Sequence, residues 1–141
     1  MEERFSAALH GSARSWRVAL DKRLKHLGIG QSGWMTIAMV AKSEAPLSQR
    51  ALADLVGVEG PSMVSMLDRL ERDGFVTRAP SPTDRRVKLV QLTAAGSKIY
   101  DEVRTEGTGF RADLLKDLDP QALAAATDLL ERLKQRIEDS L

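Results

Sequence analysis

The chain contains no cysteine, which excludes a disulfide framework, a thiol redox sensor and a thiolate-ligated metal site together. Histidine is scarce as well. The two that occur, His10 and His26, both fall in the first helical stretch, no glycine-rich phosphate loop appears, and no nucleophile stands in a recognisable motif, so an enzyme is poorly supported. A metal sensor would have to rely on carboxylates, and no resident cofactor is expected. Neither sign of charge dominates: 21 basic residues face 20 acidic ones, a formal net charge of +1. Bulk charge therefore carries no nucleic-acid signal, and any such argument must rest on where the charges sit. No apolar run reaches the length of a signal peptide core or a membrane span, which leads to the expectation of a cytoplasmic protein without a membrane partner.

What is present fits one compact domain with appended arms, since 141 residues at 43% hydrophobic content can bury a single core. Phe5, Leu9, Trp16, Leu20, Leu24 and Leu27 recur at largely helical intervals and predict a long amphipathic arm, stopped by Gly28 and Gly30. A second helix is expected to begin between Gly30 and Ser32, carry Trp34, Ile37, Ala38 and Ala41 on one face, and end before Glu44-Ala45-Pro46. Ser48 is an N-cap candidate, with Leu47 and Leu52 at the spacing of a hydrophobic staple. The short helix that follows runs to Val56. Gly57 stands at its C′ position, and Gly60-Pro61 restarts a helix with proline in the first turn. Two short helices around a tight glycine-containing turn have the spacing of a helix-turn-helix.

After Asp73-Gly74 the period becomes extended. Phe75 to Arg78 and Val87 to Leu92 predict a β-hairpin whose tip is Pro80-Ser81-Pro82-Thr83-Asp84 and the basic residues after it. Thr93 caps a helix reaching to about Leu118, with a bend or frayed turn expected at Gly107 and Gly109. Asp119 and Pro120 open a last helix, where Leu118 and Leu123 form a second staple and Leu123, Ala126, Leu130, Leu133 and Ile137 make a narrow coiled-coil-like stripe.

The candidate functional face lies on the helix from Gly60. Met63, Met66, Leu67 and Leu70 share one side, leaving Pro61, Ser62, Ser65, Arg69 and Arg72 on the other. Small residues at its start permit close approach to DNA, with amides and the Ser62 hydroxyl donating to phosphate, Ser65 and Val64 reaching base edges, and Arg69 a turn further on. By itself such a face reads more readily as an ordinary solvated one. The hairpin shifts the balance. Between Ser65 and Lys88 six bases face four acids, and arginines at a projecting tip suit a narrow, negative minor groove. Asp84 beside them would pair with one arginine and aim the other.

The run Leu52-Ala53-Asp54-Leu55-Val56-Gly57-Val58-Glu59-Gly60-Pro61-Ser62-Met63-Val64, then Leu67-Asp68-Arg69-Leu70-Glu71-Arg72-Asp73-Gly74-Phe75-Val76, Asp84-Arg85-Arg86 and Leu92-Thr93-Ala94-Ala95-Gly96, resembles the MarR family of transcriptional regulators in order and spacing. Val58 to Ser62 and Arg14-Ser15-Trp16-Arg17 are similar to its SlyA-like subgroup. The resemblance covers nearly the whole chain. It implies a mainly α fold with a small β-hairpin wing: a winged helix-turn-helix lobe over about residues 31–92, and helical arms over about 1–30 and 93–141 that form a dimerisation domain through Leu123, Leu130, Leu133 and Ile137. It further implies a homodimer on pseudo-palindromic operator double-stranded DNA, with half-sites roughly 34 to 36 Å apart, acting as a repressor.

The DNA-contacting set then comprises Ser48, Gln49, Arg50, Gly60, Pro61, Ser62, Val64, Ser65, Arg69, Thr83, Asp84, Arg85, Arg86 and Lys88. Arg85 is carried over as the groove-inserting residue and Asp84 with Arg86 as the structural pair, with the two arginine roles open to exchange. Gly30 departs from the family by standing where a Ser or Thr cap is usual, so a looser entry to the second helix is expected. Many family members respond to small phenolic or aromatic carboxylate effectors; here Arg14, Trp16, Arg17, Trp34 and Ile37 are the candidates, against the alternative that both tryptophans serve the core or dimer interface. A winged-helix protein-interaction module, or an activator or anti-silencer without small-molecule response, is the rival function.

Overall fold

The computed structural model describes residues 1–141 and is mainly α-helical with a small sheet. Six α-helices follow in order: α1 (Glu2–Leu24), α2 (Gly30–Lys42), α3 (Gln49–Val56), α4 (Gly60–Arg72), α5 (Ala94–Leu115) and α6 (Pro120–Ser140). Three strands are interspersed, β1 (Leu47–Ser48), β2 (Val76–Pro80) and β3 (Lys88–Leu92), and they form one antiparallel sheet in the order β1-β3-β2. The chain divides into two compact units, residues 1–108 and 109–141, the division falling within α5. No helix is long and apolar enough to cross a membrane.

Within the first unit the core is built where the helical and extended periods converge. Leu24, Ile37, Leu52, Met63, Leu67, Leu70, Val76 and Val90 are essentially removed from solvent. The predicted hairpin closes in register, Val76 opposite Leu92 through Pro80 opposite Lys88. Strand β1 was not foreseen. It is two residues long, too short for a period to show, and it exists because Leu47 and Ser48 pair with Val90 and Leu89 on the free edge of β3.

Two expectations need correction. Gly107 and Gly109 do not interrupt α5, which is helical from Ala94 to Leu115; Gly107 is buried, and propensity costs of about 1 kcal/mol each yield to tertiary context. Gly30 is not a failed cap: Ile29 holds the N-cap position of α2, without a side-chain capping bond, and Gly30 opens the helix. Its φ of +70° lies in the left-handed region, so the site requires glycine and a Ser or Thr there would be strained.

The motif Leu92 to Gly96 has a steric explanation. The Thr93 hydroxyl donates to the Gly74 carbonyl and accepts from the Gly96 amide at 3.0 Å, while the Thr93 amide donates to the Phe75 carbonyl at 3.1 Å. This fold-back presses the first turn of α5 onto the α4–β2 connection. A Cβ on Gly96 would sit 2.0 Å from the Phe75 carbonyl oxygen. Since the obstacle is backbone, Gly96→Ala is expected to lower stability by about 2 kcal/mol, read as a fall in urea midpoint at unchanged slope. An unchanged midpoint would show that the two backbones can separate at no cost.

Candidate nucleic-acid interface

The helix-turn-helix is assembled by local signals at each end. The Ser48 hydroxyl accepts from the Ala51 amide at 3.0 Å and caps α3, and Gly57 ends that helix with φ +79°, its amide donating to the Ala53 carbonyl at 2.9 Å. Proline stands in the first turn of α4, preceded by Glu59, whose side chain makes no capping bond. The first-turn amides of α4 are therefore left for an external acceptor.

Burial on α4 follows the helical wheel. Met63, Leu67 and Leu70 are fully enclosed, Met66 is half-buried, and Gly60, Pro61, Ser62, Val64, Ser65, Arg69 and Arg72 are exposed. The exposed side borders two open depressions. One of about 400 Å³ is lined by Pro61, Ser62, Ser65, Met66 and Arg69. The other, about 630 Å³ between α3 and α4, is lined by Gln49, Arg50, Gly60 and Val64 among others. Arg69 is turned back rather than extended: its Nη2 donates to the Ile29 carbonyl at 3.3 Å and to the Met66 sulfur at 3.4 Å. Ser48 is likewise engaged, its hydroxyl serving the cap.

At the wing tip, Asp84 Oδ1 accepts from the Arg86 amide at 3.0 Å and from Arg86 Nε at 3.2 Å. Ser81 and Thr83 share a hydroxyl hydrogen bond at 3.0 Å, and the Ser81 amide donates to the Val87 carbonyl at 2.8 Å. Asp84 therefore pairs with Arg86 while Arg85 makes no hydrogen bond or ion pair, although the Arg86 side chain stays 90% exposed. Lys88 is exposed at the first position of β3.

One residue of the site was not singled out from sequence. Arg78, in the middle of β2, donates through Nη2 to Asp68 Oδ1 at 2.6 Å and Glu71 Oε1 at 3.3 Å, through Nε to Glu71 Oε2 at 3.4 Å, and through Nη1 to Gln49 Oε1 at 3.0 Å. Its backbone amide also donates to Glu71 Oε2 at 3.1 Å. Only 17% of the side chain is exposed. The guanidinium is pushed above its ordinary pKa chiefly by the hydrogen bond to Glu71, with Asp68 adding to the shift and burial opposing it. An arginine among acids on a neighbouring helix was countable from sequence, but which acids it meets depends on the angle at which β2 leaves α4.

The effector candidates are scattered. Ile37 is fully enclosed, and Trp34 is buried with its indole N–H donating to Asp21 Oδ1 at 3.1 Å, so both are core residues in this structure. Trp16 is half-buried on α1, where Arg14 and Arg17 are exposed. On α6, Leu123 and Leu133 are half-buried, while Leu130 and Ile137 are 43% and 50% exposed. The wing geometry is directly testable. Asp84→Ala removes the acceptor of the Arg86 amide, so exchange of that amide with solvent should speed up about threefold or more. An unchanged rate would mean that the turn holds without the carboxylate.

The MarR family model matches residues 32–88, the segment from α2 to the start of β3. Among solved structures, the transcriptional regulator PA3341 is 34% identical with a TM-score of 0.86, over 96% of this chain and 98% of that one. A point mutant of MarR from E. coli, complexed with operator DNA, is 25% identical with a TM-score of 0.78, over 92% and 93%. CouR from Rhodococcus jostii RHA1, bound to p-coumaroyl-CoA, shares the fold at 21% identity and a TM-score of 0.77, over 92% and 90%. With the helix-turn-helix, the wing and a near full-length relative all in agreement, the chain belongs to the MarR family of winged-helix transcriptional regulators.

Proposed function

We propose that this protein is a cytoplasmic repressor that binds a pseudo-palindromic operator as a homodimer, in the manner of the SlyA-like members that Val58 to Ser62 and Arg14 to Arg17 resemble. The carrying observation is the pairing of two surfaces in one lobe: the exposed start of α4 and a wing tip where Asp84 occupies Arg86 and leaves Arg85 outward. The start of α4 enters the major groove, where Ser62 and its neighbouring amides hold phosphate and Val64 and Ser65 meet base edges. Arg85 enters the adjacent minor groove. Gln49, Arg50, Thr83 and Lys88 flank these contacts, and the operator-bound E. coli relative supports the docking mode.

Dimerisation runs through α6. Exposed Leu130 and Ile137, in line with Leu123 and Leu133, present an apolar stripe at coiled-coil spacing. Release from DNA is by a small aromatic or phenolic carboxylate held near Arg14 and Arg17, which share one side of α1 at i,i+3, with Trp16 beside them. The CouR complex shows that one protein of this fold takes a coumaroyl ligand.

Selection of bound fragments from genomic DNA should enrich a palindrome whose half-centres lie one helical turn apart, with affinity falling steeply as salt rises. Recovery of no common sequence, or salt-insensitive binding, would sink the operator reading and favour a protein-interaction role. Arg85→Ala should weaken operator binding about tenfold and leave the dimer intact, whereas Ser65→Ala or Val64→Ala should change preference at one base position by about 1 to 3 kcal/mol. Leu130→Glu combined with Ile137→Glu should convert the dimer to monomer in sedimentation; an unaltered dimer would place the interface elsewhere. Saturating salicylate should lower DNA affinity and quench tryptophan emission, and if neither moves, the effector assignment fails.

A further inference from the structure

We infer that Arg78 is a positioning residue for DNA recognition, fixing the angle between the wing and α4 so that the two grooves are engaged together; this rests on the operator reading above. Three elements meet on one guanidinium: Gln49 from the first turn of α3, Asp68 and Glu71 from α4, and β2, which carries Arg78 itself. The forked guanidinium makes each donor directional, so the network specifies an orientation and not merely an attraction. Its placement is mechanical as well. Arg78 stands opposite Val90, which is fully enclosed, midway along the hairpin.

Beyond it only Ala79 and Pro80 remain before the turn that carries Arg85. The two residues from Arg78 to Pro80 span roughly 7 Å, so a tilt of about 12° there moves the end of the strand by about 1.5 Å, enough to break a hydrogen bond. Isolated exposed ion pairs contribute little. This one differs because it is 83% shielded at the arginine side chain, with 17% exposed, and because both of its acids lie on the helix that reads the groove.

The alternative is that Arg78 simply neutralises Asp68 and Glu71, which would otherwise repel phosphate. Affinities for the selected operator, measured by fluorescence anisotropy, separate the two. With Arg78 present, Arg85→Ala should weaken binding about tenfold; on an Arg78→Ala background the same change should cost less than about twofold, because an unaimed wing no longer delivers its contact. Arg78→Lys should not restore the tenfold effect, since a single ammonium cannot reproduce the fork. Equal costs on both backgrounds, or full recovery by lysine, would overturn the inference in favour of charge or general stability.

Should Arg78→Ala fail to fold by circular dichroism, the double variant Asp68→Ala, Glu71→Ala keeps the guanidinium and removes its carboxylate anchors. It should show the same shrinkage of the Arg85→Ala effect, and retention of the full tenfold effect would overturn the inference. If the unaltered protein binds no DNA, the operator reading itself has failed. If it binds but Arg85→Ala has no effect, the wing contact is absent and the inference falls while the operator reading stands.

Discussion

Along α4, three side chains spaced four and three residues apart, Met63, Leu67 and Leu70, are wholly withdrawn from solvent. Each such burial contributes about 1.5 to 3 kcal/mol, upper estimates because the unfolded chain is already partly compact. Together they exceed what any single polar contact on that helix supplies, so they decide how α4 is rotated about its axis. Once the rotation is set, Pro61, Ser62, Val64 and Ser65 face outward. The edge of the helix that carries Val64 also inherits Asp68 and Glu71, and with them the meeting with Arg78. The exposed face, the acidic edge and the take-off of the wing are thus consequences of one apolar stripe.

The distribution of charge follows from the same placement. Of the six bases between Ser65 and Lys88, Arg78 is bound to acids of α4 and Arg86 to Asp84, and Arg69 is folded onto the Ile29 carbonyl. Arg72, exposed at the end of α4, stands beside Asp73, and Arg85 and Lys88 are left on the wing. The excess of two positive charges that the sequence shows in this segment is therefore delivered at the hairpin rather than spread along the helix. That explains how a chain with a net charge of +1 can still present a cationic probe: from Ser65 to Arg78 bases and acids balance, and the unbalanced Arg85 and Lys88 stand on the hairpin.

Much of this was legible because local signals and the global fold agree. The Ser48 cap, the Gly57 terminator, proline in the first turn of α4, the Thr93 and Asp119 caps and the period change after Gly74 each fixed a boundary within a residue or two. Other features were hidden for physical reasons. Strand β1 is too short to carry a period, and its pairing is non-local. Gly30 looked like a weak cap because a left-handed φ has no side chain to announce it. Trp34 and Ile37 looked available to a ligand because a helical face does not say what covers it; they are core, with the indole nitrogen already satisfied by Asp21. Arg78 was counted as a charge because its partners lie ten and seven residues back on another element.

The wing root is held from two sides by different kinds of interaction. On the helix-turn-helix side the restraint is the Arg78 network, made of charge-assisted hydrogen bonds that weaken with salt and with the loss of any one partner. On the side of α5 it is steric and covalent: β3 runs directly into Thr93, which ties to Gly74 and Phe75, and the Phe75 carbonyl lies where any side chain at position 96 would have to go. A close-packed backbone contact of this kind changes little with solution conditions, because interiors resist deformation. The steric tie thus anchors the strand ends, and the pairing of Val90 and Leu89 with Leu47 and Ser48 holds β3 further along. The orientation of β2 against α4 is met by the Arg78 guanidinium, and at the tip Asp84 holds Arg86 while the Ser81–Thr83 and Ser81–Val87 bonds close the turn that carries Arg85.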